Sequence, residues 1–230
     1  MVRVNPKAGV KRAKAEMYKK LILEAAEQVF ALHGYDESKI QDIAQSAGIA
    51  PGTLYTVFPG KVEIYGAIQE QRGREMIETI YRAIQGYDGV VDACRRGIDA
   101  YVRMLAGRPA FLRMHLRDGL SWTDPNARRV GEEVATLERG MSLAVNLLQA
   151  GIERGLLYGE SRPEVVLKMM VAAHQVQLQD WLDRGADPGE IDALISRMQN
   201  HFVRAFVHQT GQTIRTAPHP AVQANKRANG

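Results

Sequence analysis

The 230-residue sequence predicts an all-α protein of about nine helices. Three observations carry that expectation. The apolar residues are mainly Ala, Leu, Ile, Val and Met with few aromatics, a bias that suits helices better than sheets. Apolar positions recur at i, i+3, i+4 and i+7 through most of the chain. The stretches that follow this period open on capping residues and prolines and close on glycines.

Taken in order, Ile22, Ala25, Ala26, Val29, Phe30 and His33 form the first apolar face, with Gly34 placed to end it. Ser38 and Gln41 read as an S-x-x-Q capping box for a short second helix whose face is Ile40, Ile43, Ala44 and Ala47, stopped by Gly48. Pro51 suits the first turn of a third helix, which would bury Leu54, Val57 and Phe58. Longer helices are expected from Lys61 to about Ile84 and from about Val90 to Ala106, with a shorter one from about Ala110 to Gly119. "SWTDPN" reads as a loop, followed by a helix from about Ala127 to Arg154. Ser161-Arg162-Pro163-Glu164 and Asp187-Pro188-Gly189-Glu190 each combine a cap, a proline and a glutamate, and open helices ending near Asp183 and Val207. The tail from Thr210 is rich in Gln, Ala, Pro, Asn and Gly and is expected to be disordered.

Composition excludes several classes. Cys94 is the one cysteine, so there is no intrachain disulfide and no thiolate metal cluster, and a reducing, cytoplasmic compartment fits. No apolar run reaches the ~18 residues of a membrane span, and no apolar signal core opens the sequence. The net charge of +4 is unevenly spread. Residues 1–20 carry seven cations against Glu16, or +6, and residues 211–230 carry +3; the other 190 residues must therefore hold −5. A basic arm on an acidic body points to a polyanion at one end.

The stretch "AGIAPGTLYTVFPGK" (47–61) suits DNA as that polyanion. Two short helices joined at Gly48-Ile49 have helix-turn-helix spacing. Burial of Leu54, Val57 and Phe58 leaves Gly52, Thr53, Tyr55 and Thr56 facing out, residues that suit close approach to a DNA groove and contact with phosphate or a thymine methyl. Lys61 would sit at the N-terminus of the fourth helix, where charge and dipole both favour a phosphate.

The segment "ILEAAEQVFALHGYDESKIQDIAQSAGIAPGTLYTVFPGK" resembles the N-terminal domain of the TetR family of bacterial repressors. Four blocks match in order over about forty residues: "IL-AA--VF---GY", "DIA--AGI", "GTLY" and "F--K". The resemblance implies a homodimer that binds a palindromic operator and is released by a small-molecule inducer; the alternative is an activator, or a regulator controlled by a protein partner. It implies further that Ser38 caps the second helix and reaches a phosphate, that Gly52, Thr53 and Tyr55 touch bases and backbone, and that Lys61 anchors a phosphate. Several positions depart from the family pattern. Lys39 replaces a small hydroxylic residue and adds a charge near DNA, Ala50 replaces a Ser or Thr cap, and Val57, Pro59 and Val62 also differ. The expected organisation is a basic flexible arm (1–16), a helix-turn-helix domain (17–60), a ligand-binding and dimerisation domain (61–209) and the tail (210–230).

In the body, Tyr101, Met104, Phe111, Met114, His115, Trp122, Met141, His174 and Trp181 lie on the helices that enclose the ligand in similar proteins, where Met and aromatic walls adapt to a guest. Val166, Met169, Met170, Ala173, Leu194, Ile195, Met198 and Phe202 are the candidate dimer interface, in competition with a role in the monomer's own core. No catalytic fingerprint, P-loop or dinucleotide motif occurs, so neither an enzyme nor a cofactor is expected. His201 and His208 are seven apart and make a poor metal pair.

Overall fold

The computed structural model describes residues 6–87, 89–119, 132–159 and 161–208. Among these the protein is built from α-helices, in the order α1 (Pro6–Glu37), α2 (Ile40–Ser46), α3 (Pro51–Tyr55), α4 (Lys61–Ala83), α5 (Val90–Ala106), α6 (Pro109–Asp118), α7 (Glu132–Glu153), α8 (Pro163–Asp183) and α9 (Ile191–Phe206). The expected loop at 121–126 with Trp122, the start of the helix expected at Ala127, and the tail from Thr210 lie outside the described residues.

The chain divides into two compact units. One holds Met1–Glu75 and Arg108–Leu137; the other holds Met76–Gly107 and Glu138–Gly230. The division does not fall at residue 60. The first half of α4 and all of α6 belong with the helix-turn-helix, because α6 packs along α1.

In the first unit α1 packs on α2 and α6. Its buried face, Ile22, Ala26 and Phe30, is joined in the core by Ile43, Leu54, Ile64, Ile68, Phe111 and Met114. Charged groups fasten the layers. Arg72 Nε donates to Glu27 Oε2 on α1 at 2.8 Å, with both side chains buried. Arg72 Nη1 meets Glu75 at 3.0 Å, and Arg108, just before α6, meets the same carboxylate at 2.9 Å. Tyr65 and Gln69 of α4 donate to Asp118 at the end of α6 at 2.6 Å each. Burial raises the Asp118 pKa, and the two donors oppose that rise.

In the second unit α5 and α8 each pack on α9. The apolar faces of α5 (Val90, Ala93, Ile98, Val102, Leu105) and α9 (Leu194, Ile195, Met198, Phe202) are buried. Leu157 pairs with Val207 through an isolated antiparallel bridge, and Gly151 of α7 leaves room for Leu157 and Val90, which would lie 2.7 and 2.9 Å from a Cβ there.

Several local expectations need correction. Residues 6–16 are not an irregular arm but the first turns of α1. Ser38 is not the N-cap of α2; Lys39 is, with extended φ/ψ (−115°, 148°) and no side-chain cap. The Ser38 hydroxyl points back instead, donating to the carbonyls of Gly34 and Val29. Ser161 is likewise displaced by Arg162 as the cap of α8. Asp187 does cap its turn, accepting from Gly189 N at 2.8 Å, but that turn is a 3-10 segment (Pro188–Glu190) preceding α9. Val57 is half-buried rather than core.

Candidate nucleic-acid interface

The turn between α2 and α3 is set by glycine. Gly48 has φ +66°, and its N–H donates to Gln45 O at 3.1 Å while Ile49 N–H donates to Ala44 O at 3.0 Å. This pair of bonds closes α2 in a Schellman motif and needs a residue at ease in the left-handed region. Ala50 follows as an extended N-cap without a side-chain bond, and Pro51 starts α3. α3 is anchored by Leu54, 0% exposed, and by the buried Phe58 beyond it.

That anchoring fixes what faces out. Tyr55 is 53% exposed; Gly52 and Thr56 are exposed and Thr53 is half-buried. Nothing lies within 4 Å of where a Gly52 Cβ would sit, so a groove edge can approach the backbone there. Thr56 Oγ1 donates to Thr53 O at 2.6 Å, which commits its proton and leaves its oxygen lone pairs for a donor. Lys39 is exposed at the start of α2. Gly52, Thr53, Tyr55 and Thr56 are brought together on one short helix and its C-cap, while Lys39 stands at the start of α2, which packs on α3.

Two sequence candidates do not join them. Ser38 is 3% exposed, with its hydroxyl committed to backbone carbonyls, so it has no free donor for a phosphate. Lys61 is engaged from the opposite direction. Its ammonium donates to the carbonyls of Tyr35 (2.6 Å), Asp36 (3.1 Å) and Ser38 (3.0 Å) and lies 4.4 Å from the centroid of the Tyr35 ring. An ammonium has three protons, and here each has an acceptor. Lys61 thus grips the backbone that leaves α1, where Gly34 (φ 79°, ψ 172°) breaks the helix. Arg117 of α6 does similar work one turn earlier, donating to Phe30 O at 2.9 Å. Helix C-termini leave carbonyls without intrahelical partners, and cations there also meet the negative end of the dipole.

Sequence reasoning missed this clamp, and it missed the Glu27–Arg72–Glu75–Arg108 network. One signal for Arg72 was available: Ile64, Ile68 and Arg72 run i, i+4, i+8 on α4, which places the arginine on the buried face.

The nine ligand candidates are not gathered in one unit. Phe111, Met114 and His115 fall in the first; Tyr101, Met104, Met141, His174 and Trp181 fall in the second; Trp122 lies outside the described residues. Trp181 Nε1 already donates to Asp187 O at 2.9 Å and fastens the end of α8 to the turn before α9. Tyr101 and His174 are buried neighbours, with ring centroids 6.1 Å apart. Burial lowers the His115 pKa to about 4; burial and then the nearby His201 lower that of His174 to about 4. Both imidazoles are neutral at pH 7. Burial pushes the Cys94 thiol up to about 12, so it is not a thiolate.

The dimer candidates also divide. Val166, Met170, Leu194, Ile195, Met198 and Phe202 are buried within the chain itself, because α8 packs on α9 and α9 on α5. Met169 (51% exposed) and Ala173 face outward. Val176, 70% exposed, completes their row at i, i+4, i+7. Among the described residues no cluster of His, Cys, Asp or Glu could hold a metal ion, and no helix is long and apolar enough to cross a membrane.

Comparison with known proteins bears on this geometry. The family model for bacterial regulatory proteins of the TetR family matches residues 22–68, which contain α2, the turn, α3 and the start of α4. A fatty acid metabolism regulator protein of Bacillus subtilis is 30% identical over 86 residues, covering 37% of this chain and 44% of that protein. The HTH-type transcriptional repressor BepR of Brucella suis is 27% identical over 188 residues, covering 76% and 87%. Among solved structures, the fatty acid degradation regulator FadR of Bacillus halodurans superposes with a TM-score of 0.64 at 19% identity, covering 86% of this chain and 97% of its own.

Proposed function

We propose that this chain, a member of the TetR family of bacterial regulatory proteins, represses transcription by binding a palindromic operator as a homodimer and is released when a small-molecule inducer enters its C-terminal helices. The observation that carries the reading is the exposed row on α3. Gly52, Tyr55 and Thr56 stand out from a helix whose other side is fixed by the fully buried Leu54, directly after a glycine-closed turn. Thr53, half-buried, lies on the same helix, and Lys39 is exposed at the start of α2. Base edges and phosphates are what such a surface meets in a major groove.

A two-fold dimer supplies the second reading head about one DNA turn, ~34 Å, away. The support for it is the outward row Met169, Ala173 and Val176 on α8, an apolar line that the chain's own core does not cover. The inducer acts by population shift, and it weakens DNA binding only by its differential affinity for the two states.

The test is a mobility shift on the DNA upstream of the protein's own gene, titrated with salt against a scrambled duplex. Wild type should prefer the upstream duplex. Tyr55→Ala should lose about 1–3 kcal/mol of that preference while remaining dimeric by light scattering. Val176→Asp should give monomers with weakened operator binding. A Tyr55→Ala protein that keeps wild-type preference would remove α3 from the reading surface, and a Val176→Asp protein that stays dimeric would move the interface off α8.

A further inference from the structure

α1 does not begin where its packing begins. The helix starts at Pro6, yet the described side chains from residue 9 to residue 20 are exposed, apart from the half-buried Tyr18. The first buried residues are Ile22 and Leu23. At ~1.5 Å per residue the stretch from Pro6 to Leu21 is a rod of roughly 22 Å.

The charge on this rod works against its own helix. Lys7, Lys11, Arg12, Lys14, Lys19 and Lys20 oppose Glu16 alone. Lys11 and Lys14 are spaced i, i+3, a like-charged pair of the kind that costs a few tenths of a kcal/mol. The first turn has no acidic residue to complement the positive end of the dipole. Two of the cations find partial relief: Lys20 lies 3.8 Å from Glu24, and Lys14 lies 5.6 Å from the centroid of the Tyr18 ring. A helix of ~15 residues without packing is marginal in water even with favourable side chains. What this one lacks is an anion.

We propose that residues 6–20 are a second DNA-binding element, a basic helix that lies on the phosphate backbone and adds sequence-independent contacts to those of α3. The inference rests on the operator-binding reading above. Two observations commit it to duplex DNA. The rod is continuous with the part of α1 that packs on α2, so it is held at a fixed angle to the reading head. Its cations are also spread over much of the helix circumference: at ~100° per residue, Lys11 and Lys14 lie about 60° apart, Arg12 and Lys19 lie about 80–100° round from Lys11, and Lys20 lies opposite Lys11. A membrane-surface helix would segregate its charge from a broad apolar face, whereas Val10, Met17 and Leu21 make only a narrow line here, about 40° wide and bordered by Lys14.

The test is a K11Q/R12Q/K14Q protein, in which Gln keeps helix propensity while removing three charges. Affinity for a random-sequence duplex and for the operator duplex is measured by fluorescence anisotropy between about 50 and 200 mM salt, with far-UV circular dichroism to check the fold. The slope of log affinity against log salt should become shallower by roughly 2–3, from ~0.9 per phosphate contact, and low-salt binding to both duplexes should fall roughly tenfold or more. The ratio between the two duplexes should stay as in wild type, and K11R/K14R should bind like wild type. A triple variant with wild-type slope and affinity would overturn the proposal and assign the basic helix to another acidic partner; loss confined to the operator duplex would overturn it as well. The random duplex needs no operator. A wild-type protein without sequence preference would therefore sink the operator reading while the slope comparison still decided this one.

Discussion

Lys61 separates two readings of the same residue. From the sequence it anchors a phosphate; in the structure its three protons go to the carbonyls of Tyr35, Asp36 and Ser38. Lys61→Met keeps most of the aliphatic stem and removes the ammonium, so it isolates the charge. A hydrogen bond to a charged group is worth about 1.5–3 kcal/mol net. The Asp36 bond is exposed, and water replaces it at little cost. The bonds to Tyr35 and Ser38 are part-buried, so water replaces them incompletely, and the Tyr35 ring contact adds about 0.5–1 kcal/mol. The expected loss is therefore about 2–4 kcal/mol in the stability of the first unit, read as a lower urea midpoint at unchanged m. Operator affinity should fall too, because the clamp sets the chain that leads into α2, but the salt slope should keep its wild-type value. Stability within about 0.5 kcal/mol of wild type, together with a slope shallower by ~0.9, would refute the clamp and restore the phosphate anchor.

Three further outcomes are expected. Arg72→Met strands Glu27 in the core and should cost about 3–5 kcal/mol in guanidinium unfolding, whereas adding Glu27→Leu should recover most of it, because a buried pair replaced whole by apolar residues is often neutral. Gly151→Ala should lower the thermal midpoint, since its Cβ would stand 2.7 Å from Leu157 and 2.9 Å from Val90 and the resulting 1–3 kcal/mol of overpacking, on the usual rough scale, exceeds the ~1 kcal/mol gained in helix propensity. His115 and His174 have folded pKa values of about 4, below the ordinary 6.5, so the unfolded chain binds protons first as pH falls. Their stability contribution is complete above pH 6.5 and is lost between 6.5 and 4; it should amount to about 2 kcal/mol per histidine by pH 5 in urea titrations, with His115→Phe and His174→Phe each flattening the curve. Asp118, whose pKa is raised, acts in the opposite sense and offsets part of the acid loss.

The elements were legible because they are local. Apolar spacing and the punctuation at Gly48, Pro51 and Pro163 place α2, α8 and the start of α3 to within a residue or two, although α3 ends at Tyr55, short of the expected Phe58. The exposed Tyr55 and buried Leu54 also follow from period alone. What stayed hidden is long-range. Lys61 meets carbonyls 23 to 26 residues away, Arg117 meets one 87 residues away, and no period records such a partner. Ser38 shows the limit of a local motif. The S-x-x-Q pattern is present, but backbone dihedrals hand the cap to Lys39 and turn the hydroxyl inward. The dimer candidates divide for a different reason. α8 is apolar on both its α9 side (Val166, Met170, Leu178) and its outer side (Met169, Ala173, Val176), and composition cannot say which side the chain covers itself. An all-round apolar helix does say that both sides want cover.

On the operator-binding proposal, the placement of the cations orders the electrostatics of contact with DNA. Lys and Arg are the residues a phosphate selects, but they are also what an exposed helix C-terminus selects. In the first unit the second use comes first. Arg117 and Lys61 are taken by the end of α1, and Arg72 and Arg108 by carboxylates. Among the described residues of the first unit, cations remain exposed at Lys39, at Arg113 and along residues 11–20 of the basic rod. If the salt dependence of DNA binding reports on free cations, it must come mainly from that rod, so neutralising Lys11, Arg12 and Lys14 should flatten the slope more than neutralising Lys61 does. The reverse order, with Lys61→Met flattening it more than the triple substitution, would mean that DNA draws Lys61 off the carbonyls, and that the end of α1 is rebuilt on binding.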